Sequence, residues 1–207
     1  MFCRVDISDG GQISCVTKFG IEMLLLIIKA NHRASLILKA FLSREPNLLF
    51  KAFPVYVRPL LEYCSSVWSP VYKTDIELIE RVQRTFTKRL YGFKNLSYSE
   101  RLFLLHADTL ELRRLKTDLV MLYKIVHNLV SLSFDEFFAY NNFTITRGHD
   151  FKLIKPVCVN NARQFSFSCR LIDAWNFLLN CVVSSNCLLS FKNMLDNCNF
   201  SKFLVIV

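Results

Sequence analysis

Apolar residues recur along much of this chain at the spacing of amphipathic helices. Within residues 21–42 they follow steps of four and three, and two more stripes of this kind lie in 74–90 and 109–129. Each stripe predicts a helix with one buried face, and the third is a seam for packing against neighbouring helices. The three stripes are Met23, Ile27, Ala30, Ala34, Ile37 and Phe41; Ile76, Ile79, Val82, Phe86 and Leu90; and Leu112, Leu115, Leu119, Leu122, Val126 and Leu129.

Proline, glycine and capping residues divide this pattern into elements. Residues 43–46 break the first helix, and the apolar stretch 47–67 carries Pro54 and Pro59, which predict a bent or broken helix. Capping boxes of the form Thr-x-x-Glu and Ser-x-x-Glu open helices near residues 74 and 97, Thr109 caps the long third helix, and Gly92 suits a helix C-cap.

The helical period weakens after residue 130. A short helix is predicted at 134–139, an irregular or weakly β segment across 143–167, and further helices at about 168–179 and 188–197. The pattern therefore predicts a mostly α fold, a helical bundle with two helical lobes. The predicted segments are a divergent start at 1–28, a helical region at 29–130 and a C-terminal helical region at 131–207.

Composition favours a folded, basic protein. Of the 207 residues, 52% are apolar and 21% charged, which allows a sizeable core, and the low glycine and proline contents disfavour a turn-rich β sandwich. The net charge of +9 points to a polyanion such as nucleic acid or an anionic membrane surface. The alternative is that the charge only keeps the protein soluble.

The positive charge is concentrated between residues 81 and 116, a stretch that contains nine basic and only three acidic residues. Arg81, Arg84 and Lys88 lie opposite the apolar stripe of their helix, at a spacing that could follow a phosphate backbone. The same surface could instead be a solvated face with local ion pairs such as Glu77 with Arg81, or bind membranes or partner proteins. The aromatic residues around Pro70 could stack on bases or pack a helix end.

No catalytic or metal-binding constellation is recognisable. The sequence lacks an Asp-Asp pair, a P-loop, a G-x-S-x-G elbow and an HExxH motif, so we predict no catalytic residue, metal or cofactor.

The eight cysteines form no C-x-x-C pair and are predicted to be free, mostly buried thiols, although a disulfide or metal cluster among the last five stays open. With no apolar leader and only short apolar runs, the chain is predicted to be intracellular, in cytoplasm or nucleus, without a signal peptide or membrane span.

Three consecutive stretches carry a family resemblance: VRPLLEYCSSVWSP, IELIERVQRTFTKRL and LSYSERLFLLHADTLELRRLKTDLVMLYKI. In this order they resemble the C-terminal part of the reverse transcriptase polyprotein of jockey-like non-LTR retrotransposons, the LINE kind. The upstream piece KANHRASLILKAFLSREPNLLFKAF and the later FSFSCRLIDAWNFLL and SFKNMLD fit the same order, so the resemblance runs over residues 29–196.

The resemblance implies a helical thumb and post-thumb region that follows the polymerase palm and holds the template–primer duplex by its backbone. The family's palm motif, an aromatic residue followed by x-Asp-Asp, is absent, as is the endonuclease. The parent polyprotein is an RNA-directed DNA polymerase, and this chain is expected to be a truncated, catalytically inactive fragment. It would bind RNA or an RNA–DNA duplex without sequence specificity, through Arg81, Arg84, Lys88, Arg89, Arg113, Arg114 and Lys116.

Two other partners follow from the same interpretation. The seam at residues 112–129 would dock on the missing palm and be partly exposed here, or mediate self-association. The alternative function is therefore a structural or protein-interaction module, or a translated transposon relic without a role.

Overall fold

In the computed structural model, the backbone is described for residues 12–141 and 149–206, and the side chains from residue 22 onward within those ranges. The described residues are mostly helical, which confirms the predicted fold class. The only β pairing described there is an antiparallel bridge between Tyr140 and Leu153. The helices are α1 (Gln12–Ala40), α2 (Pro46–Tyr56), α3 (Arg58–Glu62), α4 (Lys73–Lys88), α5 (Tyr98–Leu104), α6 (Leu110–Val126), α7 (Phe134–Phe137), α8 (Asn161–Gln164), α9 (Phe167–Arg170), α10 (Ile172–Phe177), α11 (Asn180–Val183) and α12 (Leu188–Asp196), followed by a 3-10 turn at Ser201–Phe203.

The chain forms two compact units, each assembled from two separated stretches of sequence. The first unit takes in the described residues up to Tyr63 together with Arg81–Leu105, and the second comprises Cys64–Glu80 and the described residues from His106 onward. The division predicted at residues 28 and 130 was drawn from changes in the residue pattern along the chain. These units are defined by contacts in space, so that division stays a prediction.

The first unit is built around one face of α1. The predicted stripe is buried from Met23 to Ile37, while Phe41, just past the helix end, is half-buried. This face packs against α2 and α3. Phe53 of α2 is fully buried and its ring centroid lies 4.9 Å from that of Phe86 on α4.

The proline-containing stretch after α1 is broken, as predicted. Pro46 occupies the first turn of α2, where its missing N–H costs nothing. Pro54 lies inside α2, which ends two residues later, and α3 then begins at Arg58 with Pro59 in its first turn. Val57 joins the two helices and is fully buried, so the break also delivers an apolar side chain to the core.

The second unit has its core between α6 and the last helices. Tyr123 stacks on Phe191 with ring centroids 4.2 Å apart, and the fully buried Trp175 donates its indole N–H to the Phe151 carbonyl at 2.8 Å. The seam of α6 lies in this core: Leu119, Leu122 and Val126 are buried, and Leu112 and Leu115 pack on the same cluster. The seam was expected to be partly exposed, and its middle is instead buried against residues of α10 to α12 of the same unit. Docking of this seam on a palm domain, or its self-association, stays a prediction. Leu129 alone, beyond the end of α6, is 56% exposed.

The capping predictions are confirmed in part. In the Ser97 capping box the Glu100 N–H donates to the Ser97 hydroxyl at 3.2 Å and the Ser97 N–H donates to the Glu100 carboxylate at 2.7 Å. These hydrogen bonds lower the pKa of Glu100. Thr109 caps α6 as predicted, accepting from the Leu112 N–H at 3.2 Å. Gly92 does adopt a left-handed φ of 80°, but it lies in a turn four residues beyond the end of α4 and is not its cap.

Several predicted boundaries are wrong by a turn or more. α1 begins at Gln12 and not near residue 21, and α6 ends at Val126, before the predicted end at residue 129. The single helix predicted at 168–179 is two short helices, α9 and α10, separated at Leu171. The predicted final helix is confirmed as α12. Of the predicted irregular or weakly β segment at 143–167, residues 143–148 lie outside the described residues.

Removing the Phe86 ring tests the core of the first unit. Because Phe86 is 1% exposed and packs on Phe53, we expect Phe86→Ala to lower the free energy of unfolding by about 3–5 kcal/mol. The measurement is urea unfolding followed by circular dichroism. Phe103→Ala is the matched control, since that ring is 78% exposed and its loss should change little. Equal effects of the two substitutions would contradict the packing described for the first unit.

Candidate nucleic-acid interface

The part of α4 in the first unit separates apolar from basic side chains. Val82 and Phe86 are buried on one side, whereas Arg81, Arg84 and Lys88 are exposed on the other. This separation follows from the 3.6-residue period, which places residues 81, 84 and 88 on one face. Arg89, directly after the helix, is also exposed, so four cations predicted from the sequence do lie at the surface.

These four cations have no acidic partner in the described part of the chain. Among the described residues, no carboxylate lies within 4.0 Å of the charged groups of Arg81, Arg84, Lys88 and Arg89. The carboxylate of Glu77, the proposed partner of Arg81 in the alternative interpretation, lies 4.0 Å from the Lys73 ammonium. The described residues therefore do not neutralise the charge on this surface by ion pairs.

A buried arginine joins α5 to the last turns of α4. Arg101 is 4% exposed, and its Nη1 donates to the Arg84 carbonyl at 2.7 Å and to the Thr87 hydroxyl at 2.9 Å. Its Nε donates to the Ser97 carbonyl at 3.3 Å. Burial lowers the pKa of the Arg101 guanidinium, Tyr98 opposes that effect, and the Arg84 charge adds to it. Three of its five N–H groups are thus used in hydrogen bonds within the first unit.

Tyr98, at the start of α5, orders the exposed arginine. The guanidinium carbon of Arg84 lies 4.9 Å from the centre of the Tyr98 ring, and that of Arg101 lies 5.3 Å from it. The Tyr98 hydroxyl accepts a hydrogen bond from Gln83 at 3.1 Å. A cation over an aromatic ring is held by the ring's negative face, so this contact limits the positions of Arg84 without using its N–H groups.

The other three predicted cations belong to the second unit and have different surroundings. Arg113 is half-buried. Arg114 is 5% exposed, with its guanidinium 5.2 Å from the centre of the Trp68 ring. Lys116 donates to Asp108 at 2.7 Å and to Asp196 at 2.8 Å. Burial alone would lower the pKa of Lys116, but the two carboxylates raise it. Phosphate contact by these three residues stays a prediction, and burial and ion pairing weigh against Arg114 and Lys116.

The sequence interpretation missed three charged residues with structural roles in the second unit. Glu80 is 1% exposed, and its carboxylate accepts the Leu110 N–H at 2.9 Å, which satisfies a donor at the start of α6. Asp118 is 2% exposed and lies 2.8 Å from Arg170, which also donates to the carbonyls of Ser65 and Ser66. Burial raises the pKa of Asp118, and the Arg170 charge opposes that rise.

A signal for these residues exists in the sequence. Glu80 lies four residues after Ile76, and Asp118 lies next to Leu119 and three residues after Leu115, so both stand at the border of an apolar stripe. Charged residues there are desolvated and need partners, but the sequence does not say which partner each one finds.

A cavity of about 210 Å³ in the second unit is lined by both apolar and charged side chains. Its charged groups include Asp118 and Arg170, which pair with each other, and Glu111, whose two carboxylate oxygens accept the backbone N–H groups of Val205 and Ile206 at 2.7 and 3.0 Å. These groups serve the fold, and no catalytic arrangement is evident among them.

The described cysteines are free, but the prediction that most are buried is wrong. Cys64, Cys181 and Cys187 are exposed, Cys158 and Cys198 are half-buried, and Cys169 is buried. Their surroundings explain the error, because they lie in turns and helix ends and not on the apolar stripes. No group of three or more His, Cys, Asp and Glu side chains within the described ranges could hold a metal ion.

No protein-family model matches the chain, and no solved structure matches it. It is similar to an uncharacterized protein of Caenorhabditis elegans, with 30% identity over 98 residues that make up 46% of this chain and 48% of that protein. The chain thus spans about half the length of the curated relative it matches.

Within the part of the chain that the structure describes, none of the helices combines the length and apolar character needed to cross a bilayer.

The Arg101 contacts can be tested by a substitution that keeps an unbranched apolar side chain and removes the guanidinium. Arg101→Met removes three hydrogen bonds from a buried cation, so we expect the free energy of unfolding to fall by about 3 kcal/mol. Urea unfolding measures the loss. Arg89→Met removes an exposed cation and should shift the unfolding midpoint very little. A wild-type midpoint for Arg101→Met would show that the guanidinium does not hold α5 in place.

Proposed function

We propose that the chain binds RNA or an RNA–DNA duplex by its sugar–phosphate backbone, through a basic ridge formed by Arg81, Arg84, Lys88 and Arg89. The observation that carries this proposal is the exposure of four neighbouring cations that have no carboxylate partner among the described residues. Phosphate groups supply the missing negative charge, and binding releases the counterions condensed on the nucleic acid.

The dimensions of the ridge fit a backbone. From residue 81 to residue 88 the helix rises by about 10 Å, at about 1.5 Å per residue. That length corresponds to about three phosphates along one strand, at about 3.4 Å per phosphate along the duplex axis. Arginine and lysine side chains of this kind position a duplex without reading its sequence. Binding should therefore be strong at low salt and indifferent to base sequence.

The anchoring of the ridge supports the same function. Arg101 binds the carbonyl of Arg84 and the hydroxyl of Thr87, and the Tyr98 ring holds the Arg84 guanidinium. A cation held in place in this way loses less side-chain entropy when it meets a phosphate. The resemblance to the region after the palm of jockey-like reverse transcriptases supports the proposal as well, since the thumb there holds a template–primer duplex by its backbone. The sequence has no palm motif, so the proposed role is binding without polymerase chemistry.

Charge reversal on the ridge tests the proposal. The change is Arg81→Glu with Arg84→Glu and Lys88→Glu, and the measurement is the fluorescence anisotropy of a labelled RNA–DNA hybrid across a salt series. We expect the affinity to fall and the slope of log affinity against log salt to decrease by about three units, because about 0.9 counterions are released per phosphate contact.

The matched control for this experiment changes the net charge equally at other exposed sites of the first unit. Lys29, Lys39 and Lys51 are exposed on α1 and α2, and their joint replacement by Glu should leave the salt slope close to that of the wild type. Equal losses in both triple variants would mean that binding follows net charge and not the ridge. If the folded wild type binds no hybrid, the proposal fails. The alternative of a protein-interaction module then gains support from the exposed Leu25 and Ile28 on α1.

The ring of Tyr98 can be tested separately. Tyr98→Leu removes the surface on which the Arg84 guanidinium rests, so we expect about a two- to fivefold loss of affinity for the hybrid, from a cation–π contact of about 0.5–1 kcal/mol. Tyr98→Phe keeps the ring and removes only the hydroxyl that accepts from Gln83, and its affinity should stay near the wild type. If Phe and Leu weaken binding to the same extent, the hydroxyl and not the ring positions Arg84.

A further inference from the structure

Two cysteines of the second unit lie side by side although they are not bonded. The sulfur atoms of Cys158 and Cys169 are 3.5 Å apart, and the Cys158 thiol donates to the Cys169 sulfur. Cys169 is 1% exposed on α9, whereas Cys158 is half-buried in the irregular segment before α8. One member of the pair is therefore fixed in the core and the other can be reached from solvent.

Nearby hydroxyl groups favour the thiolate form of the buried member. Burial by itself raises the pKa of the Cys169 thiol, but hydrogen bonds from Ser166, Cys158 and Ser168 outweigh it, and the pKa lies below its usual value. Burial and the neighbouring Cys169 raise the pKa of Cys158. The two thiols thus differ in acidity. Cys169 is the more acidic one, and the Cys158 thiol donates a hydrogen bond to its sulfur.

Only a small movement separates this pair from a covalent bond. A disulfide needs about 2.05 Å between sulfur atoms, so the two must approach by about 1.5 Å. Val157 and Val159, on either side of Cys158, are 95% and 94% exposed, so little packing holds this segment where it lies. Cys158 can make the approach while Cys169 stays in the core.

We propose that Cys158 and Cys169 are a reversible redox site that a peroxide-class oxidant converts to a disulfide. The Cys158 thiol first gives up its proton, and its sulfur then attacks one oxygen of hydrogen peroxide. The O–O bond breaks, Cys158 becomes a sulfenic acid, and the hydroxide that leaves takes up that proton as one water. The Cys169 thiolate then attacks that sulfur, the S–S bond forms, and the leaving hydroxide takes up the proton lost by Cys169 to become a second water. Two thiols and one peroxide give one disulfide and two waters. A dithiol reductant reverses the change.

Peptide mass spectrometry tests this site on the full chain. The folded protein is treated with hydrogen peroxide, the remaining thiols are alkylated, and trypsin is added without reductant. Cleavage after Lys152, Arg163 and Arg170 leaves Cys158 and Cys169 on adjacent peptides, 153–163 and 164–170. We expect these two peptides to appear as one species, lighter than their sum by two hydrogens. Reduction before digestion should separate them.

Variants show whether proximity directs the reaction. Cys158→Ser and Cys169→Ser should each abolish the linked species, and Cys198→Ser, a half-buried cysteine elsewhere in the same unit, should leave it unchanged. Wild-type protein whose far-ultraviolet circular dichroism stays native, but whose two cysteines are recovered alkylated or as separate sulfinic acids, would overturn the proposal. So would linkage of Cys158 to other cysteines as often as to Cys169.

Discussion

The first unit depends on one buried cation. Arg101 carries its charge into an environment that lowers its pKa, and such a group is tolerated only when its donors are used. Three of its N–H groups donate to the Arg84 carbonyl, the Thr87 hydroxyl and the Ser97 carbonyl, at the end of α4 and the start of α5. The requirement to satisfy this guanidinium therefore fixes the short helix α5 against α4, and with it the Tyr98 ring on which Arg84 rests.

Two groups of the described basic residues differ in their environment. Arg101, Arg114 and Arg170 are buried or partly buried, and their guanidinium groups contact carbonyls, aromatic rings or Asp118. The four residues of the ridge are exposed and have no carboxylate partner among the described residues. This difference narrows the proposed nucleic-acid surface to the ridge. The sequence alone does not distinguish the exposed from the buried basic residues, because exposure depends on packing between segments distant in the chain.

Local patterns predicted the elements better than their ends. The stripes of α1, α4 and α6 and the caps at Ser97 and Thr109 are local properties, readable from neighbours three or four residues apart. The boundaries at Gln12 and Val126 and the split between α9 and α10 depend on competing contacts, so the stripes could not locate them. The burial of the cysteines was misjudged for the same reason. A small apolar side chain such as cysteine is buried only where the backbone directs it into the core.

By itself, the sequence determined that this protein is a helical, basic chain with one face of α4 apolar and the other cationic, since helical period and side-chain type are local facts. Only the tertiary structure decided that the α6 seam is covered, that Arg101 and Glu80 serve the fold, and that Cys158 meets Cys169. Residues such as Asp118 and Arg170 are 52 positions apart, and their contact exists because desolvated charges must pair once the core excludes water. No pattern of neighbours in the chain records which partner each of them finds.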